Sequence, residues 1–268
     1  MKNQQNLELG QHFLNDKDII DLMVNSISKG AKVIEIGAGT GQVTQKLVKR
    51  ASKVIAIEID KRFYSALKAL KRKSSNLEII MDNVLDVNLK EVIDFKKNSI
   101  ELIGSLPYQI IEPLFMKIIF LPFKSLTLLI PVSQIEENTT NKINILIKVF
   151  YHIKILAGVD EELFSPAPKT KSALVQLKPK TINEFKKSRF SWLLREFFFS
   201  AHKGTLVKNV LRESLIRYEV ENKKTLTQNQ AREVIEKLNL TDIILNKSFE
   251  QLNSKEIQEL YESLKKIS

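Results

Sequence analysis

The sequence predicts an α/β fold with a parallel sheet, followed by a small C-terminal helical domain. Over the N-terminal half, short apolar runs alternate with stretches of helical periodicity, and most of these runs end in a glycine or an acidic residue. After residue 179 the periodicity is almost wholly helical. Strands that alternate with helices pair in parallel through right-handed crossovers. We therefore expect one domain over residues 1–179 and a second over residues 180–268.

Five short apolar runs in the first domain are typical of buried strands. They span residues 32–37, 54–57, 77–81, 100–103 and 126–131. Apolar residues at helical spacing predict a first helix, capped by Asn15 or Asp16, and further helices at residues 43–51, 62–73 and 145–150. Two more strands, at residues 153–159 and 172–177, flank a proline-containing loop.

The composition is that of a folded, basic protein. Hydrophobic residues make up 43% of the chain and charged residues 27%, so a sizeable core can form. The net charge of +11 indicates a polyanionic partner, either nucleic acid or an anionic membrane surface, although a surface that only aids solubility explains it equally well. The absence of cysteine excludes disulfides and thiolate-bound zinc and fits the cytoplasm. The most apolar run is too short to span a bilayer, so we expect no membrane association.

Three closely spaced glycines, Gly37, Gly39 and Gly41, lie between the first predicted strand and the next helix. Glycine lets the backbone turn tightly and approach a ligand closely, and the helix N-terminus behind it favours polar or anionic groups. The spacing is G-x-G-x-G, whereas a dinucleotide typically requires G-x-G-x-x-G, so NAD is disfavoured. By itself the triplet is also compatible with a purely structural turn.

Two acidic residues, Glu58 and Asp82, follow the second and third predicted strands. Ligands of open α/β sheets bind beyond the carboxyl ends of the strands. Glu58 is placed to accept hydrogen bonds from two ribose hydroxyls, and Asp82 to accept one from an adenine amino group. A single acid at a strand end is usually just solvated, but two of them behind a glycine turn indicate a nucleoside cofactor.

Ser105, Leu106, Pro107 and Tyr108 follow the fourth predicted strand. Pro107 stiffens the turn and biases Leu106 towards an extended conformation. The Tyr108 ring offers a face on which a base can stack. The Ser105 hydroxyl and the adjoining backbone carbonyl offer two acceptors, which can hold an adenine amine and favour a pyramidal, nucleophilic nitrogen. Most of the rate would then come from positioning, although the tetrapeptide alone also fits an ordinary proline turn.

Taken together, these motifs resemble those of the KsgA-type ribosomal RNA adenine dimethyltransferases, to which the erythromycin-resistance methyltransferases are related. Four segments are similar to family motifs: residues 10–14 to G-Q-N-F-L, 35–41 to E-I-G-x-G-x-G, 105–108 to N-[LI]-P-Y, and 164–172 to F-x-P-x-P-x-V-x-S. The resemblance implies a Rossmann-like class I methyltransferase sheet and S-adenosylmethionine as the methyl donor. It also implies dimethylation of two adjacent adenines near the 3′ end of small-subunit (16S) rRNA, a step of ribosome biogenesis.

The resemblance also implies a role for each matching residue. The cofactor-binding residues would be His12, Leu14, Gly37, Gly39, Glu58, Asp82 and Ser105, and the catalytic residues Ser105, Leu106, Pro107 and Tyr108. No metal is implied, and the three histidines lack metal-ligand spacing. The expected partner is ribosomal RNA in the small ribosomal subunit, and the protein is expected to be a cytoplasmic monomer.

The sequence departs from the family pattern mainly on the side of the target base. Ser105 and His12 stand where the family motifs have asparagine, and residues 109–112 read Q-I-I-E in place of N-I-S-T. Three alternatives therefore stay open: a ribosome-assembly factor with weakened catalysis, a resistance methyltransferase of large-subunit rRNA, and a small-molecule methyltransferase. The last leaves the basic C-terminal domain unexplained.

Residues 178–217 are rich in basic and aromatic residues. The basic residues are Lys178, Lys180, Lys186, Lys187, Arg189, Arg195, Lys203, Lys208, Arg212 and Arg217. Basic groups can neutralise RNA phosphates and release counterions. We therefore expect residues 180–268 to be a helical RNA-binding domain, and residues 1–179 to be the catalytic domain that binds S-adenosylmethionine. The interleaved aromatic residues Phe185, Phe190, Trp192 and those at 197–199 either pack a helical core, which is the commoner case, or stack on bases.

Overall fold

The computed structural model of the protein describes residues 11–92, 100–136, 141–200 and 204–267. The chain divides into two compact units. The first consists of Met1–Ile135 and His152–Pro179, and the second of Glu136–Tyr151 and Lys180–Ser268. The strands lie in chain order at β1 (Phe13–Leu14), β2 (Lys32–Ile36), β3 (Lys53–Ile57), β4 (Leu77–Ile80), β5 (Ile100–Ser105), β6 (Phe123–Pro131), β7 (Tyr151–Val159), β8 (Phe164–Ser165) and β9 (Ser172–Pro179).

Seven of these strands form one sheet, in the order β4-β3-β2-β5-β6-β9-β7. The pairs β2–β3, β3–β4, β2–β5 and β5–β6 are parallel, and β9 runs antiparallel to β6. The chain builds outwards from β2 through β3 to β4 and then returns to β5 on the other side of β2. This reversal is a topological switch point, the place where open α/β sheets bind ligands. The predicted α/β class is confirmed.

The helices of the first unit cover the sheet and bury its apolar strands. They are α1 (Lys17–Asn25), α2 (Thr44–Arg50), α3 (Tyr64–Lys73), α4 (Leu89–Val92) and α5 (Tyr108–Ile118). Of the two predicted caps for α1, the structure selects Asp16, whose side chain accepts a hydrogen bond from the Ile19 N–H at 2.8 Å. Val33, Val54 and Leu47 are fully buried, as expected of a sheet covered by helices.

Two features of the first unit were not predicted. Helix α5 begins at Tyr108, the last residue of the tetrapeptide, and it contains Pro113. Proline usually ends a helical pattern, which is why the sequence indicated only a turn at this point. The second feature is the antiparallel pair β1–β8, in which Phe13 is opposite Ser165 and Leu14 opposite Phe164. Two-residue strands are too short to show periodicity.

The second unit is helical in its described part. Its helices are α6 (Lys142–Phe150), α7 (Ile182–Lys186), α8 (Arg189–Ser200), α9 (Val207–Glu221), α10 (Gln228–Glu236), α11 (Asp242–Leu245) and α12 (Ser254–Lys265). The aromatic residues of α8 mostly form its core: Trp192, Phe197 and Phe198 are buried. The Trp192 indole N–H donates to the Ser214 carbonyl at 3.1 Å. The core-packing alternative is therefore the correct one for these three residues.

The division into units differs from the predicted boundary over residues 136–151, which the sequence assigned to the first domain. The structure groups this segment with the C-terminal helices. The reason is its apolar surface, because the Phe150 ring contacts the rings of Phe185 and Phe198 at centroid distances of 5.5 and 5.6 Å. The functional roles predicted for the two domains remain predictions. Among the described residues, no helix is long and apolar enough to cross a membrane.

Candidate functional site

A cavity lies at the carboxyl edge of the sheet, where β2, β3, β4 and β5 end. All the residues that the sequence motifs assign to a site line this cavity: His12, Leu14, Gly37, Gly39, Glu58, Asp82, Ser105, Leu106, Pro107 and Tyr108. They all belong to the first unit. The topology thus brings together residues from five separate stretches of the sequence, although their proposed roles are not tested by this geometry.

The glycine turn after β2 has a backbone conformation that side chains disfavour. Gly37 and Gly39 have φ angles of +74° and +52°. A Cβ atom on Gly37 would lie 3.3 Å from the Ser105 carbonyl oxygen, and one on Gly39 would lie 3.3 Å from the Phe13 ring. The lack of side chains therefore lets the turn lie close both to the end of β5 and to the N-terminal segment.

Glu58, at the end of β3, holds the glycine turn in place. Its Oε2 accepts a hydrogen bond from the Gly39 N–H at 2.7 Å, and its Oε1 accepts one from the Asp60 N–H at 2.8 Å. The residue is only 4% exposed, and burial raises the pKa of its carboxyl. The Ile59 backbone also hydrogen-bonds this carboxyl. A carboxylate has about four lone-pair positions, so Glu58 keeps acceptor capacity for a ligand in the cavity.

Two other residues shape the same end of the cavity. Asp82, after β4, is exposed, and its Oδ1 accepts a hydrogen bond from the Asn83 N–H at 2.8 Å. Ile59 also lines the cavity and is 47% exposed. It was not among the residues predicted from the sequence. The sequence signal for this residue is its position directly after Glu58, the acid that ends β3. An apolar side chain there can pack against a flat apolar part of a ligand.

The tetrapeptide turn at the end of β5 presents two oxygen acceptors. In the described part of the chain, no hydrogen bond engages the Ser105 hydroxyl or the Leu106 carbonyl. The Pro107 carbonyl is used by α5, where it accepts from the Ile110 N–H at 3.1 Å. The Tyr108 hydroxyl lies 3.1 Å from the Ser172 hydroxyl and donates towards the Thr170 carbonyl at 3.3 Å. These bonds fix the ring of Tyr108 at the wall of the cavity.

The segment 11–14 is anchored along its length. The Gln11 side-chain amide donates to Asp60 Oδ2 at 3.1 Å, and the Asn15 N–H donates to the Leu163 carbonyl at 2.9 Å. Between these points lies the β1–β8 pair. The Arg62 guanidinium lowers the pKa of Asp60 to about 2, so this anchor stays charged at neutral pH. Gly10, the first residue of the motif, lies outside the described residues.

Glu35, on β2 behind the glycine turn, is a buried acid that the motif comparison did not assign to a role. It is 2% exposed, and its Oε2 has no hydrogen-bond partner among the described residues. Burial, together with the negative charge of Glu58, raises the pKa of the Glu35 carboxyl to about 8. Glu35 is therefore protonated and neutral at neutral pH. Of the neighbouring carboxyls of Glu35 and Glu58, only that of Glu58 need be charged.

Replacing Glu35 by glutamine should remove a pH-dependent loss of stability. Between pH 6.0 and 7.5 the folded state keeps the Glu35 proton and the unfolded state does not, so stability falls as pH rises. We expect the free energy of unfolding of the Glu35→Gln variant, relative to the unaltered protein, to rise by about 2 kcal/mol over this window. Urea unfolding at several pH values measures it, and parallel pH curves for the two proteins would contradict the assignment.

Among the described residues, no group of three or more histidine and acidic side chains could hold a metal ion. His12 and His152 lie far apart in the sequence, and His202 lies outside the described residues. Lys203, one of the basic residues predicted to contact RNA, also lies outside them.

Comparison with known proteins yields a family and a fold. A family model described as ribosomal RNA adenine dimethylase matches residues 2–246. A probable ribosomal RNA small subunit methyltransferase A from Methanococcus aeolicus is 32% identical over 276 residues, 98% of each chain. Ribosomal RNA small subunit methyltransferase A from Alkaliphilus oremlandii is 34% identical, over 63% of each chain.

Two solved structures of methyltransferases share the fold over nearly the whole chain. A dimethyladenosine transferase from Plasmodium falciparum superposes with a TM-score of 0.59 at 23% identity, covering 95% of this chain and 98% of that one. The 23S rRNA methyltransferase ErmE superposes with a TM-score of 0.56 at 18% identity, covering 94% and 99%. At these identities the likeness shows the fold alone, and that fold is the predicted Rossmann-like methyltransferase sheet with a helical C-terminal part.

Proposed function

Because the chain belongs to the ribosomal RNA adenine dimethylase family, we propose that it dimethylates the exocyclic amines of adjacent adenines in small-subunit rRNA, with S-adenosylmethionine as methyl donor. The observation that carries this proposal is the cavity at the switch point of the sheet. It gathers two acids, a glycine turn and the Ser105–Tyr108 turn at one edge. This combination serves both a nucleoside cofactor and a target amine.

The residues at one end of the cavity fit the adenosine part of S-adenosylmethionine. Glu58 retains acceptor capacity for the ribose hydroxyls, and the exposed Asp82 retains an oxygen for the adenine amino group. The exposed Ile59 offers an apolar face for the adenine ring. The positive-φ glycines have no Cβ atom, so their backbone stays accessible to the cofactor. These contacts bind the cofactor, which when bound supplies an electrophilic methyl group on a sulfonium centre.

Other residues orient the cofactor and exclude water. Gly37 and Gly39 allow the turn to approach the ligand, and His12 and Leu14 belong to the anchored segment that lines the same cavity. Leu14 is buried against the core. We propose that this segment covers the cofactor. Its three anchors hold it there without the need for a large movement.

The tetrapeptide turn is proposed to hold the target adenine. The Ser105 hydroxyl and the Leu106 carbonyl accept hydrogen bonds from the amine, which favours a pyramidal nitrogen whose lone pair is free for bond formation. Pro107 fixes the backbone of the turn, and the Tyr108 ring stacks on the base. The amine proton passes to solvent after the new bond to carbon has formed. Rate enhancement comes mainly from positioning, and no strongly basic side chain is required.

We propose that the protein acts as a monomer, in the cytoplasm, on the small ribosomal subunit. The absence of cysteine fits a reducing compartment. We also propose that residues 180–268 bind RNA, although several of their basic side chains are already paired with acids: Lys186 with Glu221, Arg189 with Glu219, Arg212 with Glu213, and Arg195 and Arg217 with Glu196.

Lys187 and Lys224 are better candidates for phosphate contacts. They are exposed, they line one polar cleft of the second unit, and within the described ranges neither has an ion-pair partner. Replacing each by alanine should reduce the slope of log K against log salt for rRNA binding by about 0.7–0.9 per contact. Filter binding at 50–300 mM salt tests this expectation. Lys90→Ala, an exposed lysine on α4, is the control, and an unchanged slope in the double variant would refute the assignment.

Methyl transfer to defined ribosomal particles tests the proposed function. The protein is incubated with isotopically labelled S-adenosylmethionine and undermethylated small subunits, and the rRNA nucleosides are then analysed by mass spectrometry. We expect N6,N6-dimethyladenosine at two adjacent positions. Methylation of large subunits only would assign the protein to the resistance methyltransferases, and specific binding of small subunits without turnover would identify an assembly factor with weakened catalysis.

A further inference from the structure

The His12 side chain is held in one tautomer by the loop that follows β8. Its Nδ1 atom lies 2.8 Å from the Pro166 carbonyl oxygen. A carbonyl oxygen can only accept, so Nδ1 must carry the hydrogen of this bond. In the neutral imidazole the other nitrogen, Nε2, is then unprotonated and acts as an acceptor. In the part of the chain that the structure describes, no residue bonds to Nε2.

His12 lies beside the ring proposed to stack on the target base. The centroids of the His12 and Tyr108 rings are 6.0 Å apart, with an angle of 32° between their planes, and both residues line the cavity. A base sandwiched between two rings needs a gap of about 7 Å, twice the usual contact distance between carbon atoms. The spacing is too small for that arrangement. For His12 to reach a base stacked on Tyr108, this leaves the edge of the base, where its hydrogen-bonding groups lie.

Of the two acceptors in the turn after β5, only one has a fixed position. The Leu106 carbonyl is fixed by the backbone, but the Ser105 hydroxyl is on a short side chain, rotates freely and donates as readily as it accepts. An amine held for methyl transfer needs two acceptors in fixed positions. An imidazole nitrogen that is locked by Pro166 and accepts only is a better second acceptor than a rotating hydroxyl.

We propose that Nε2 of His12, in place of the Ser105 hydroxyl, accepts the second hydrogen bond from the exocyclic amine of the target adenine and holds the amine together with the Leu106 carbonyl. This inference rests on the proposed function, and it makes His12 a catalytic residue for the target as well as part of the segment over the cofactor. It also accounts for base selection, because a carbonyl oxygen in place of the amine would meet two acceptors and no donor. His12 then compensates for the short side chain at position 105.

Three substitutions separate the two nitrogens of the ring. In His12→Gln, the side-chain oxygen reaches as far as Nε2, so an acceptor is retained there. In His12→Asn, the shorter amide keeps a donor for the Pro166 carbonyl but has no acceptor at the Nε2 position. His12→Phe keeps a flat ring and loses both groups. Each variant is also made with Ser105→Asn, which supplies a longer acceptor at the end of β5.

The variants are compared for turnover on undermethylated small ribosomal subunits, for S-adenosylhomocysteine affinity by calorimetry and for thermal unfolding. We expect kcat to fall about tenfold or more in His12→Asn and His12→Phe, with a smaller loss in His12→Gln. The affinity for S-adenosylhomocysteine should change less than threefold. Ser105→Asn should restore most of the turnover of His12→Asn, a non-additive result that marks two groups acting on one amine.

The results separate this inference from the function on which it rests. If the unaltered protein methylates adenine but His12→Asn and His12→Phe retain full turnover, the inference is overturned and the function stands. If the variants lose cofactor affinity in proportion to turnover, His12 serves the cofactor only, and the inference is again overturned. If the unaltered protein binds S-adenosylhomocysteine but does not methylate rRNA, the function and the inference fail together.

Discussion

Replacement of Glu58 by glutamine is expected to weaken S-adenosylmethionine binding by about 100-fold or more. The proposed ribose contacts are two hydrogen bonds to a charged acceptor, each of which contributes about 1.5–3 kcal/mol. In the folded protein the two carboxylate oxygens accept hydrogen bonds from the Gly39 and Asp60 N–H groups. Glutamine has the same length, but its NH₂ group would face one of these two donors and could not accept from it. Both the ligand contact and the shape of the glycine turn are therefore lost. Calorimetric titration with the cofactor measures the change.

Glu78→Gln is the matched control for this experiment. Glu78 lies on the neighbouring strand β4 and pairs with Lys53 at 2.9 Å on the exposed surface, away from the cavity. The Glu78→Gln substitution also removes one negative charge from the sheet. It should leave the affinity for the cofactor unchanged, because exposed ion pairs contribute little to stability. If Glu58→Gln and Glu78→Gln bound the cofactor with equal affinity, the ribose role of Glu58 would be wrong.

Replacement of Tyr108 by alanine is expected to lower turnover by about 100-fold with little change in cofactor affinity. Stacking of a base on an aromatic ring contributes about 1–3 kcal/mol, and misplacement of the amine by about 1 Å adds a further loss. The ring lines the cavity at the proposed target turn, whereas the proposed adenosine contacts are at Glu58 and Asp82. Single-turnover kinetics with small ribosomal subunits, together with calorimetry, separates the two quantities.

Tyr108→Phe identifies which part of the side chain matters. Phenylalanine keeps the stacking face and loses only the hydroxyl contacts to Ser172 and Thr170. These bonds orient the ring, so a loss of only a few-fold is expected. Equal losses in Tyr108→Phe and Tyr108→Ala would mean that the hydroxyl, and not the ring face, is the functional group.

The sequence was sufficient to predict the sheet and the residues at its carboxyl edge. Strands β2 to β5 are short apolar runs that end in or just before a glycine or an acid, and β6 is an apolar run that ends at Pro131. This local signal indicates the position of each strand, and the alternation with helices indicates parallel pairing. The fact that residues such as Glu58 and Asp82 line one cavity then follows from the rule that parallel strands end at the same edge. No long-range information was needed for this part.

The features that were missed depend on contacts between distant residues. The β1–β8 pair and the bond between His12 and Pro166 join segments about 150 residues apart, and neither leaves a periodic pattern. Residues 136–151 appeared continuous with the first domain, but their apolar side chains pack against C-terminal helices. Helix α5 was obscured by Pro113. In each case tertiary packing overrides a weak local signal.

A crystal structure of the protein with S-adenosylhomocysteine bound tests the central claim most directly. We predict that the ribose hydroxyls lie within hydrogen-bonding distance of Glu58, the adenine amino group near Asp82, and the sulfur towards Ser105 and Tyr108. A cavity that stays empty at saturating ligand concentration, or a ligand bound with its adenosine away from both acids, would contradict the account.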